Sequence, residues 1–68
     1  MREQIIGVLK QQFQAQILKH KMNIEVMLSN PMAIHDHTDL MGAIEKEVAM
    51  VAEYRDRLEV MNTLFNDE

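Results

Sequence analysis

Ser29-Asn30-Pro31-Met32-Ala33-Ile34-His35-Asp36-His37-Thr38-Asp39 divides the chain into two unlike halves. Pro31 is the only proline, and the stretch holds two of the three histidines. Proline has no backbone N–H and disfavours α geometry at the residue before it, so a helix arriving from the N-terminal side ends near Ser29. Downstream, Asp36 is placed to cap a new helix, and Asp39 adds negative charge to its first turn. The reading is all-α: one domain over 1–68, with a helix over about 2–28, a turn over 29–36 and a helix over about 37–65.

Both flanks carry helical periodicity. On the N-terminal side, Ile6, Leu9, Phe13, Ile17, His20, Ile24 and Met27 recur at steps of three and four. On the C-terminal side the pattern is Leu40, Ile44, Glu47, Val51, Tyr54, Leu58, Met61 and Phe65. At about 1.5 Å per residue each helix is roughly 40 Å long, so a short connection pairs them as an antiparallel hairpin. With the fold about residues 32–34, residues whose numbers add up to 65–67 face one another. A second stripe marks the first helix: Val8, Ala15, Leu18, Met22 and Val26. Two stripes need two partners. The expectation is a homo-oligomer in which hairpins dimerise into a four-helix bundle through these five residues.

Sixty-eight residues give a small core, and with no cysteine there is neither a disulfide nor a thiolate. No apolar run approaches the roughly 18 residues of a membrane span, and no signal-peptide pattern opens the chain, so a cytoplasmic protein without membrane contact is expected. Net charge is −4, unevenly placed. Up to residue 35, Arg2, Lys10, Lys19 and Lys21 outweigh Glu3 and Glu25, a balance of +2. Residues 36–68 set nine acids against Lys46, Arg55 and Arg57, a balance of −6. Helices of opposite sign favour the hairpin. The cations form no stripe along a phosphate path, and Phe13, Tyr54 and Phe65 are too few for base stacking, so no nucleic-acid partner is expected.

Three groups of residues could carry chemistry. Gln16, His20 and Asn23 follow one another along the inner side of the first helix, and Glu47 holds a core-type position in the second. The register brings His20 opposite Glu47. Such a buried polar layer commonly fixes register or oligomer state, and no nucleophile accompanies it. Two copies could instead bring two His20 and two Glu47 to an oligomer axis as a metal-binding bundle resembling half a ferritin. However, the Glu-x-x-His spacing of di-iron bundles is missing, since Val48, Met50 and Asp56 stand three residues after Glu45, Glu47 and Glu53. His35 and His37 beside Asp36 and Asp39 have donors suited to zinc, but they read better as loop and cap. The seven methionines read as adaptable packing residues. No catalytic residue, metal site or cofactor is assigned, and a non-enzyme is expected. The acidic Glu45, Glu53, Asp56 and Glu59 provide solvation and suit a basic partner surface.

The run Lys19-His20-Lys21-Met22-Asn23-Ile24-Glu25-Val26-Met27-Leu28-Ser29-Asn30-Pro31 carries a resemblance, extended by 34–40, Ala43-Ile44-Glu45 and 52–60. It resembles small uncharacterised helical proteins encoded by large tailed phages of marine cyanobacteria. The most telling part is His20-x-x-Asn23 followed by Asn30-Pro31. The resemblance implies a phage origin but no activity, cofactor or site residue. The expected function is a protein–protein interaction module, acting in virion assembly or by binding a host protein. Its expected place is the host cytoplasm or the virion.

Overall fold

The computed structural model describes the backbone of residues 1–30 and 37–66, and the side chains of the same residues except 37 and 38. Two helices, α1 (Arg2–Ser29) and α2 (His37–Leu64), pack against each other. No strand occurs among the described residues. The readings of Pro31, of Asp36 as a cap and of the His35–Asp36 loop lie outside the described residues.

α1 ends where the proline requires. Asn30 leaves the helix with φ −140° and ψ 64°, outside the α region that the following proline disfavours. Its N–H still donates to the Val26 carbonyl at 3.0 Å, and the Ser29 hydroxyl donates to the same carbonyl at 3.2 Å. The helix thus runs one residue beyond 28. α2 stops at Leu64, and Phe65 is a turn residue whose N–H donates to the Met61 carbonyl at 2.8 Å.

Three cross-helix contacts fix the register. Arg2 lies 5.6 Å above the Phe65 ring, the Phe13 and Tyr54 rings are 6.0 Å apart, and His20 bonds to Glu47. Each pair of numbers adds to 67, within the expected range. At the end where α2 terminates, the Lys10 ammonium donates to the Phe65 carbonyl at 3.2 Å. A cation there satisfies a helix-terminal carbonyl and complements the negative end of the α2 dipole. Basic α1 and acidic α2 therefore meet through a specific bond as well as through their overall charge.

The hairpin is a rod of 47 × 16 × 15 Å, too thin to enclose a core. Ile6 and His20 are its only buried residues among those described, and every other core-facing side chain is half-buried. Its accessible surface is 5451 Å², against about 4,450 Å² for a compact monomer of this mass.

Gly7 and Gly42 lie within the helices, and a Cβ built at either meets nothing within 4 Å. Gly7→Ala and Gly42→Ala are each expected to stabilise the fold by about 1 kcal/mol, because alanine restricts the unfolded chain at no steric cost here. Thermal melts should show a rise of roughly 4–8 °C for each. A fall in melting temperature would mean that a partner approaches the backbone at that glycine.

Candidate functional site

Two features stand out: a polar layer inside the hairpin and an apolar face outside it. The layer forms because α1 presents His20 and Asn23, three residues apart, on the face that meets α2 at Glu47. The His20 Nδ1–H donates to Glu47 Oε1 at 2.6 Å, and the Asn23 amide donates to the same oxygen at 2.9 Å. Neutral imidazole with its proton on Nδ1 and imidazolium both fit this geometry. His20 is buried, and the Glu47 side chain keeps 19% of its exposure.

The surroundings are aromatic on one side. The Tyr54 ring stacks on His20 with centroids 6.0 Å apart and planes 11° from parallel, while Phe13 lies on Tyr54 at a tilt of 35°. Arg57 extends over Tyr54 at 4.9 Å and pairs with Glu53 one turn earlier. The hydrogen bond from His20, followed by that from Asn23, holds the Glu47 carboxyl below its ordinary range, against a smaller opposing effect of burial. Among the described residues no buried side-chain nitrogen or oxygen lacks a hydrogen-bond partner. It holds the helices in one register, with both donors turned toward the Glu47 carboxylate.

The expected members differ in role. His20, Asn23 and Glu47 come together. Gln16 is half-buried on the same helix, and among the described residues no hydrogen bond links it to them. Tyr54, read from the sequence only as a stripe residue, forms the wall of the site. Its spacing of seven from Glu47 matches that of Phe13 from His20, and this repeat was the available signal. Among the described residues no three His, Cys, Asp or Glu side chains gather as a group able to hold a metal ion.

The outer face of α1 is the larger feature. Val8, Leu18, Met22 and Val26 are between 59% and 66% exposed, and Ala15 is exposed between them. Met1 and Ile5 continue the same line toward the N-terminus and are also exposed. Two shallow apolar grooves mark it, one lined by Ile5, Val8, Gln4 and Leu9, the other by Leu18, Met22, Lys21, Ile24 and Glu25. On α2, Met41, Val48, Val60 and Leu64 are exposed as well, with charged residues such as Glu45, Arg57 and Glu59 between them in sequence.

No described helix is long and apolar enough to cross a membrane. No family model, curated protein or solved structure matches the chain.

Proposed function

We propose that the chain is a non-enzymatic protein–protein interaction module that works through the outer face of α1, hairpin pairing with hairpin into a four-helix bundle. The observation that carries this reading is the exposed apolar line on α1 beside an interior in which, among the described residues, only Ile6 and His20 are buried. A surface of this kind on a thin hairpin is stabilised by association, because burying apolar area contributes about 25 cal/mol per Å². The His20–Asn23–Glu47 layer fits a register-fixing role within such an assembly. The resemblance around His20, Asn23 and Asn30-Pro31 supports a phage setting. There, a small helical module suits virion assembly or the capture of a host protein.

Light scattering across a concentration series tests the proposal, with Leu18→Asp and Met22→Asp as variants. Both positions are exposed, so helicity should persist while assembly is lost. A symmetric seam carries the change twice, and about 2 kcal/mol per copy raises the dissociation constant roughly a thousandfold. Unchanged mass in both variants would overturn the use of this face. Stoichiometric iron, zinc or manganese in protein purified without added metal, lost on His20→Ala, would overturn the module in favour of a metal-binding bundle.

A further inference from the structure

We infer that the hairpin is built as two cooperative units divided at the His20–Glu47 layer, and that the unit beside the connection opens while the unit carrying the chain ends stays docked. The inference concerns the interior of the hairpin and does not depend on the self-association proposed above. Its ground is the order of side chains along the seam between the helices. From Ile6 to Met27 the inner seam of α1 advances in steps of four and three, and each position on it is buried or half-buried. Leu40 to Phe65 on α2 does the same, and the two runs face one another with numbers adding to 67.

The middle of this seam is polar. Gln16, His20 and Asn23 are consecutive on its α1 side, and at His20–Glu47 it is polar on both helices. Apolar clusters lie on either side of that layer. Toward the chain ends, the register sets Ile6 against Met61, Leu9 against Leu58 and Phe13 against Tyr54, and Ile17 and Val51 extend the cluster to the layer. Toward the connection it sets Met27 against Leu40, beside half-buried Ile24 and Ile44. Apolar packing couples residues whose side chains touch, so a layer polar on both sides interrupts it. Contiguous packed segments of this kind are the units that open separately in native proteins.

The two clusters are held unequally. The one at the chain ends contains buried Ile6 and the Phe13–Tyr54 ring pair. It is also fastened by Arg2 over the Phe65 ring and by the Lys10 bond to the Phe65 carbonyl. Beside the connection, Ile24, Met27, Leu40 and Ile44 are all half-buried. There α2 carries Gly42, which weakens a helix, and Ala43, which offers little surface to bury. Opening this side leaves the freed segment closed as a loop. That opposes the motion, but the cost of closure grows only with the logarithm of loop length, and the contacts at the chain ends outweigh it.

Backbone amide hydrogen exchange, followed residue by residue by NMR at one protein concentration, tests the inference. After correction for intrinsic rates, amides of 24–28 and 42–46 should exchange about tenfold or more faster than those of 13–17 and 51–58, with one shared opening equilibrium in each set. The two glycines then separate the units, since a Cβ at either meets nothing within 4 Å. Residue 7 lies outside the unit that opens, so Gly7→Ala should slow the chain-end set about fivefold and leave the connection set unchanged. Gly42→Ala should slow both sets, because residue 42 is released in the partial and in the complete opening. Equal slowing of both sets by Gly7→Ala would show one cooperative unit and overturn the inference. Equal protection of the two sets in the parent would overturn it as well. So would rates that climb steadily toward the connection, which is the signature of fraying from a helix end.

Discussion

Val51→Asp and Leu58→Asp are each expected to unfold the hairpin. Both residues are half-buried on the side of α2 that meets α1. The register places Val51 level with Gln16 and Ile17, and Leu58 level with Leu9. A carboxylate at either position loses water on the side packed against α1, which costs about 2–4 kcal/mol. Small domains of this size have only about 3–5 kcal/mol of stability to lose. Circular dichroism melts at one fixed protein concentration provide the check, because association would itself raise the melting temperature. Val51→Ala serves as a control. It removes two methyl groups without adding charge and should lower the melting temperature while keeping a cooperative transition. Retention of the parent melting temperature by either aspartate variant would mean that the inner face has been assigned to the wrong residues.

The second large effect is expected at Glu47. Glu47→Leu leaves the His20 Nδ1–H and the Asn23 amide without their shared acceptor, in a site where His20 is buried. Losing hydrogen bonds to a charged group in this way costs about 2–3 kcal/mol, which is again a large part of the total. The same carboxylate makes stability depend on pH. In the folded chain its pKa is lowered, chiefly by the His20 hydrogen bond, while in the unfolded chain it takes the ordinary glutamate value of about 4.3. The unfolded state therefore binds the proton more readily. The stabilisation is fully present above the unfolded pKa and is lost as pH falls through the folded one. Melting temperatures measured from neutral pH into acid should fall below about pH 4.3 in the parent, and less steeply in Glu47→Gln. Parallel curves for the two proteins would show that this carboxyl is not a source of acid sensitivity.

Much of the architecture is legible in the sequence. Proline geometry placed the end of α1 near Ser29, and the helix ends there with Asn30 outside it. Steps of three and four identified both inner faces, and the short connection set the range of facing numbers that brought His20 to Glu47. The second stripe of α1 was legible from the same periodicity. Its extension to Met1 and Ile5 was present in the spacing, but it became evident only from exposure.

Other features needed the packed helices. Gln16 and Asn23 share a face with His20 in the sequence, yet only Asn23 reaches the Glu47 oxygen. A helical side chain leans toward the N-terminus of its own helix, and periodicity gives the face without the reach along the axis. For the same reason Tyr54 could be placed on the inner stripe, but its position between Phe13 and His20 depended on the 67 register. The Lys10 bond to the Phe65 carbonyl joins groups 55 residues apart, and it exists only once the antiparallel pair brings the end of α2 beside α1. The sequence by itself determined where the helices break and which residues share a face, because those depend on backbone sterics and a fixed pitch. The tertiary structure alone decided which polar atoms meet across the two helices, because that depends on side-chain reach in a register accurate to a single residue.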